Sequence, residues 1–366
     1  MEVSTTEKSI DGDYNWAKGV TEFEETKAGV KGLVDAGIAN IPSFFINPPE
    51  NLQNSSNTTH QIPIIDLKGF ENGGQHRQKI VNEICKASET WGFFQIINHG
   101  VPDTVMDGMI EGARLFHEQP GETKMELYSR DRTQNVRYYS NEYLHLSKAA
   151  ANWNDTLSCV FRDDMVNPDV LPSVLRREVE EYMKCIIKLK GQLCELLSEA
   201  LGLSSDYFRS TECMKTTSFM CHYYPICPQP DLTQGLSQHT DLPFLTLLLQ
   251  DGIGGLQSLH QDHWVDVHPV PKALIANLGD FMQLITNDKF KSVEHRVLAR
   301  SVGPRVSTAC FFSPSTRNVS KPCGPIKELL SEINPPIYKE VLITDLAAAR
   351  SELNGTRSSV LPLFKL

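Results

Sequence analysis

The sequence predicts an α+β protein, with helices dominating before about residue 205 and short strands from about 214 to 313. Two observations carry this. The stretch 171–203 keeps apolar residues at helical spacing along its whole length. After it, short β-type runs succeed one another: TTSFMCHYY, HTDLPFLTLLLQ, GGLQSLH, HWVDVHPV, ALIANL, SVEHRVLA and RVSTACFF. Gly, Pro, Asp and Asn punctuate them, and evenly spaced strands of this kind indicate a sandwich or a barrel.

Taken in order, residues 1–25 are acidic and polar and are expected to be flexible. Over 26–38, Val30, Leu33, Val34 and Ile38 recur at helical spacing, and Ile41-Pro42 ends the element. NLQNSSNTTH after Pro48-Pro49 reads as a polar linker. IPIIDL (62–67) is expected to be a short buried strand, followed by a helix over about 75–91 that Gly92 stops. FFQIINHGVP (93–102) predicts a strand, and Pro102-Asp103 opens a helix over 103–118. His99 is read as a structural residue at that junction. Residues 120–170 look irregular and aromatic, with Tyr138, Tyr139, Tyr143, Trp153 and Phe161 lining a pocket or covering a core. A helical turn is expected around 281–285, a last helix and turn near 329–338, and a surface-packed tail over 340–366.

Composition excludes several functions. The chain has 366 residues, 40% hydrophobic and 22% charged, as in an ordinary globular protein. A net charge of −10 without a basic cluster argues against nucleic acid as a partner. The first residues, MEVSTTEKSIDGDYNW, resemble neither a signal nor a transit peptide, and no apolar run has membrane-spanning length. Nine cysteines without Cys-x-x-Cys pairs indicate free thiols in a reducing compartment, so a cytoplasmic location is expected, with a monomer as the default.

The chemistry centres on His239-Thr240-Asp241 and on His295. Residues two apart on a strand share a face, so His239 and Asp241 are expected to aim at one point. Two imidazoles and one carboxylate leave adjacent metal positions open, the donor set of non-haem Fe(II) oxygenases. Alone, a His-x-Asp triplet recurs by chance. Arg305-Val306-Ser307 strengthens the reading, because a guanidinium fork and a hydroxyl on one strand face suit a buried carboxylate.

With these residues in view, the chain resembles the plant 2-oxoglutarate/Fe(II)-dependent dioxygenases over nearly its whole length. WGFFQIINHGVP is similar to the N-terminal signature of that family. YYPICPQP, HTD, GGLQ, WVDV, NLGDFMQLITNDKFKSVEHRV and RVS are similar to successive pieces of its core. The extension TKAGVKGLVDAGI…IP resembles the branch of 1-aminocyclopropane-1-carboxylate oxidase homologues, to which deacetoxyvindoline 4-hydroxylase is related.

The resemblance implies a double-stranded β-helix (a jelly-roll, cupin-like core) with flanking helices. It implies Fe(II) on His239, Asp241 and His295, with 2-oxoglutarate and O2 as co-substrates and ascorbate as a supporting reductant. Arg305, Ser307 and Tyr224 are expected to bind 2-oxoglutarate, and Phe311 and His222 to face the substrate. The implied division is an extension and linker over 1–60, a mostly helical domain over 61–205, the jelly roll over 206–316, and a C-terminal helix and tail over 317–366. The implied reaction is hydroxylation of a small specialised plant metabolite, with release of succinate and CO2.

Two departures stand out. The family's Asn-Tyr-Tyr-Pro is His222-Tyr223-Tyr224-Pro225 here, and its Trp-Arg-Asp is Trp153-Asn154-Asp155. Two other readings compete. One is an ascorbate-using 1-aminocyclopropane-1-carboxylate oxidase making ethylene, and the roughly sixty residues before IPIIDL argue against it. The other is a catalytically silent cupin-like binding protein, against which the intact triad stands.

Overall fold

A computed structural model describes residues 7–52, 60–142, 144, 149–165, 167–211, 213–314, 320–353 and 359–366. The chain begins with helices α1 (Glu7–Thr26) and α2 (Gly29–Asp35), so most of the segment expected to be flexible is helical. The reason is apolar burial. Val20, Phe23 and Val30 pack with Phe44, Phe45, Leu144 and Trp153 into a small core of their own. Most of the polar linker, and Tyr143, lie outside the described residues.

Strand β1 (Ile64–Asp66) alternates exposed and buried residues and is not wholly buried, because it is the outer strand of its sheet. Helix α3 (Gly74–Thr90), strand β2 (Phe93–Ile97) and helix α4 (Asp103–Glu118) fall where the pattern predicts. His99 is structural, with Nε2 facing Lys272 O at 3.0 Å and Nδ1 accepting from Val101 N at 3.2 Å. A short helix α5 (Gly121–Met125) opens the region expected to be irregular. That region also holds two strands, β3 (Val136–Tyr139) and β4 (Asp155–Phe161). Their order comes from a distant partner, since β4 pairs with a strand some sixty residues on, Leu157 opposite Cys221. Helix α6 (Arg176–Ala200) is shorter than 171–203 and is followed by the single turn α7 (Tyr207–Ser210). Along α6, Val179, Tyr182, Met183, Ile186, Leu189, Leu193 and Leu197 form one buried stripe against α3 and α4. Each such side chain contributes about 1.5–3 kcal/mol on burial.

The strand-rich half contains β5 (Thr216–Tyr224), β6 (Gln234–His239), β7 (Leu245–Gln250), β8 (Leu256–His260), β9 (His263–Asp266), β10 (Leu274–Leu278), helix α8 (Asp280–Ile285), β11 (His295–Leu298) and β12 (Arg305–Ser313). HTDLPFLTLLLQ is therefore not one strand. The chain leaves β6 of one sheet at His239 and enters the other sheet as β7 at Leu245. Near 329–338 there is a single 3-10 turn, Lys327–Leu329, and no helix: a tight turn bridged between Ser331 and Asn334 follows, and then Pro335-Pro336. The last helix is α9 (Ile343–Glu352), inside the expected tail, with Leu346 and Ala349 buried.

Two sheets result. The larger runs β1-β2-β10-β7-β12-β5-β4-β3, and the smaller runs β6-β11-β8-β9. Neighbours are antiparallel except β1 with β2. Helices α3, α4 and α6 cover the outer face of the large sheet through the main core. A third core, including Phe93, Tyr224, Leu256, Val265, Ile275 and Val297, lies between the sheets. This is the two-layer arrangement of a double-stranded β-helix, as the resemblance implied. All nine cysteines are free, and among the described residues no helix is long and apolar enough to cross a membrane.

Candidate active site

His239 is the last residue of β6 and His295 the first of β11, and the two are directly opposed in the antiparallel pair. Their ring centroids are 4.2 Å apart. Asp241 reaches the same point from outside the strand, so alternation along a strand is not what makes it converge. The chain turns after His239 and is tied to α8: Asp280 N donates to Asp241 O at 2.7 Å, and Phe281 N to Leu242 O at 3.1 Å. Gly279 makes this close approach possible. A Cβ there would lie 2.0 Å from Pro243 O and 2.8 Å from Asp241 O.

The donor atoms are already oriented. His239 Nδ1 lies 2.8 Å from Ser237 O and His295 Nδ1 lies 3.2 Å from Val293 O. Each Nδ1 therefore donates to a carbonyl, which leaves each Nε2 turned toward Asp241. Both Nε2 atoms stand 3.7 Å from Asp241 Oδ1. Asp241 Oδ2 turns away and accepts from Thr246 Oγ1 at 2.6 Å and Asn277 Nδ2 at 2.7 Å. Burial pushes this carboxyl up, but His295, His239 and the two donors outweigh it and hold it below the usual carboxylate range. The three ligand atoms lie within 4.8 Å of one another. Two imidazoles and a carboxylate with an open side are the donor set of non-haem Fe(II) oxygenases.

From the triad a small cavity of about 40 Å³ runs between the sheets to Arg305. Alternation holds on β12, where Arg305, Ser307, Ala309 and Phe311 all line it, with His222 and Tyr224 from β5. Arg305 is only 1% exposed. Its Nη1 donates to Ser307 Oγ and its Nη2 to Gln250 Oε1, both at 3.0 Å, and the guanidinium lies over the Tyr224 ring. Its Nε has no partner, and among the described residues no carboxylate forms an ion pair with it. A buried guanidinium in this state fits an incoming carboxylate.

A second cavity of about 190 Å³ opens on the other side of the triad. Met220, Leu236 and Phe311 supply its apolar wall, and Asn141, Asn152 and Asn154 part of its polar wall. His222 borders both cavities, with Nδ1 3.0 Å from Thr156 Oγ1.

Sequence reasoning missed Thr246 and Asn277, which hold Asp241, and Gln250, which holds Arg305. Thr246 and Asn277 did carry a signal. Each is a polar residue inside an apolar strand run, and a buried polar group needs a partner.

Comparison with known proteins agrees with this geometry. Residues 215–314 match the family model of the 2OG-Fe(II) oxygenase superfamily, and residues 62–173 match that of the non-haem dioxygenase in morphine synthesis N-terminal region. The chain belongs to the 2OG-Fe(II) oxygenase superfamily: it is an enzyme whose cofactors are 2-oxoglutarate and an Fe(II) held by His239, Asp241 and His295.

Its similarity is to plant members. It is 52% identical over 328 residues to 1-aminocyclopropane-1-carboxylate oxidase homolog 1 of Arabidopsis thaliana, covering 89% of this chain and 90% of that one. It is 47% identical over 352 residues to deacetoxyvindoline 4-hydroxylase of Catharanthus roseus, covering 94% and 88%. The crystal structure of JOX2 in complex with 2OG, Fe and JA superposes with a TM-score of 0.77 at 32% identity, covering 91% of this chain and 94% of that one.

Proposed function

We propose that the protein hydroxylates a small specialised plant metabolite, coupled to conversion of 2-oxoglutarate and O2 to succinate and CO2. One observation carries the 2-oxoglutarate half: the buried guanidinium of Arg305, whose Nε has no partner and which forms no ion pair among the described residues, at the far end of the cavity that starts at the triad. Its fork and the Ser307 hydroxyl would bind the distal carboxylate of 2-oxoglutarate, with Tyr224 stacked beneath and donating from its phenol. When bound, iron supplies the O2 activation that drives decarboxylation and C–H oxidation. The protein's own share is positioning and exclusion of water. His222 and Phe311 would stand between co-substrate and substrate, with His222 held by Thr156. The relative that hydroxylates deacetoxyvindoline at position 4 supports the reaction type. The matches at 62–173 and 215–314 support a helical domain over 61–205 and a catalytic domain over 206–316.

Anaerobic titration with Fe(II) and then 2-oxoglutarate tests the reading without a known substrate. The weak visible band of the chelate is expected in the wild type and is expected to be lost in Arg305→Ala and His239→Ala. Iron binding without 2-oxoglutarate binding, together with ethylene release from 1-aminocyclopropane-1-carboxylate, would establish the ascorbate-using oxidase instead. A metabolite screen scored by substrate-dependent succinate release then names the substrate class.

A further inference from the structure

The residue between the two ligands of the His-x-Asp triplet is held from the far end of the chain. Arg350 on α9 donates through Nη2 to Thr240 O at 2.9 Å and Thr240 Oγ1 at 3.0 Å. The same nitrogen lies 3.4 Å from Asp280 Oδ2, and Thr240 Oγ1 donates to that oxygen at 3.2 Å. Asp280 is fully buried. Its carboxylate also accepts from Ser292 Oγ at 2.7 Å, Ser359 Oγ at 3.1 Å and Val360 N at 3.2 Å. Its own backbone N–H holds Asp241 O at 2.7 Å. Four separate segments meet on one buried carboxylate, and among the described residues Arg350 is the cation that ion-pairs with it.

A buried carboxylate is costly unless paired and hydrogen-bonded. Asp280 is therefore a firm support for the metal-ligand turn only while α9 is docked and Arg350 is in place. Arg350 also lines the larger cavity beside Thr240 and Asp241. The C-terminal helix thus touches both the backbone of the metal turn and the wall of the cavity.

We infer that Arg350 is a positioning residue for the iron site, and that docking of the C-terminal helix and binding of Fe(II) are thermodynamically linked. This rests on the triad holding iron. Linkage is reciprocal. Loss of Arg350 weakens iron binding, and iron in turn protects α9. Partners behind metal ligands typically change metal affinity by about 10–100-fold when removed, and that is the range expected here.

The test uses the full chain under anaerobic conditions. Fe(II) affinity is titrated in the wild type, Arg350→Ala, Arg350→Lys and, as a control on the same helix, Glu352→Ala, whose side chain is exposed. Hydrogen exchange of 343–353 is followed with and without Fe(II). The expected result is a 10–100-fold weaker Kd for Arg350→Ala, partial recovery in Arg350→Lys, and no change in Glu352→Ala. Slower exchange of α9 on adding Fe(II) to the wild type is expected, and loss of that protection in Arg350→Ala. If Arg350→Ala does not fold, Arg350→Lys and the wild-type exchange data decide the matter. Wild-type iron affinity in a folded Arg350 variant, or α9 exchange indifferent to Fe(II), overturns the linkage while the triad stands. A wild type that binds no iron overturns the triad reading and the linkage with it.

Discussion

Arg305→Lys isolates the fork from the charge. In the wild type the guanidinium is preorganised by Ser307 and Gln250, each at 3.0 Å, and Nε is left without a partner. A lysine ammonium keeps the charge but cannot offer two parallel N–H bonds in one plane. Loss of one charge-assisted hydrogen bond to a carboxylate costs about 1.5–3 kcal/mol. At about 1.4 kcal/mol per tenfold, the Kd for 2-oxoglutarate rises by roughly 10- to 150-fold. Fe(II) affinity should stay constant, because the hydrogen bonds of Arg305 go to Ser307 and Gln250 and not to the triad. The assay is the anaerobic chelate titration, with iron and 2-oxoglutarate varied separately. A variant with unchanged 2-oxoglutarate affinity would remove Arg305 from the co-substrate site. A variant that loses iron as well would mean that the two halves of the cavity are not independent.

Three further outcomes are expected. Thr246→Val keeps the shape but removes the 2.6 Å donor to Asp241; Fe(II) affinity, read by anaerobic titration, should fall by about tenfold or more, and wild-type affinity would count against the role. Burial, followed by the charge of Lys124, pushes the His117 imidazole down to about 3, and its Nε2 lies 3.1 Å from Cys221 O. The unfolded chain, with a pKa of about 6.5, therefore takes up the proton first, and stability falls as pH drops below that value, by about 2 kcal/mol between pH 7 and 5. Urea unfolding of His117→Gln should show a flatter slope over that window, and an identical slope in both proteins refutes the assignment. Gly29→Ala would place a Cβ 2.4 Å from Asp155 Oδ1 at a φ of +69°, so thermal melting should show a loss of at least about 1–2 kcal/mol; an unchanged melting temperature would show that α2 is free to shift.

The metal ligands were legible because histidine and aspartate are conspicuous in apolar strand runs. Arg305 and Ser307 were legible because their spacing matches the pleat, and the structure keeps them on one face. The convergence of His239 and Asp241 was expected for the wrong reason. It comes from a turn clamped to α8, which needs Gly279, and not from alternation. Strands β3 and β4 were illegible because what orders β4 is pairing to β5 across a large sequence gap, and β3 in turn pairs only with β4. Helix α1 was illegible because its polar composition hides the few apolar residues that reach Phe44 and Phe45. Arg350 gave no signal at all. Its helix is alanine-rich with little apolar periodicity, and its partner Thr240 lies 110 residues away.

The substrate cavity is built on the same non-local ties. Asp155 accepts from Val30 N and Lys31 N, both at 2.8 Å, and from Ser140 Oγ, which fastens α2 to the start of β4, the strand that carries Thr156 and that Asn154 directly precedes. Arg130 joins Glu24 of α1 to the carbonyls of Ser140 and Asn141. The asparagines of the wall are spent on one another and on the backbone: Asn141 meets Asn152 through both ends of its amide, and Asn154 donates to Gly235 O. These bonds fix where the polar wall of the cavity stands. Met220, Leu236 and Phe311 form the apolar side of this cavity, and Tyr139, Glu142, His222 and Arg350 add to its polar side. The iron, by contrast, is held from α8, β7, β10 and the C-terminal helix. Changes in the N-terminal extension can therefore remodel the cavity while the donors around Asp241 stay fixed, a division that lets one metal site serve many substrates.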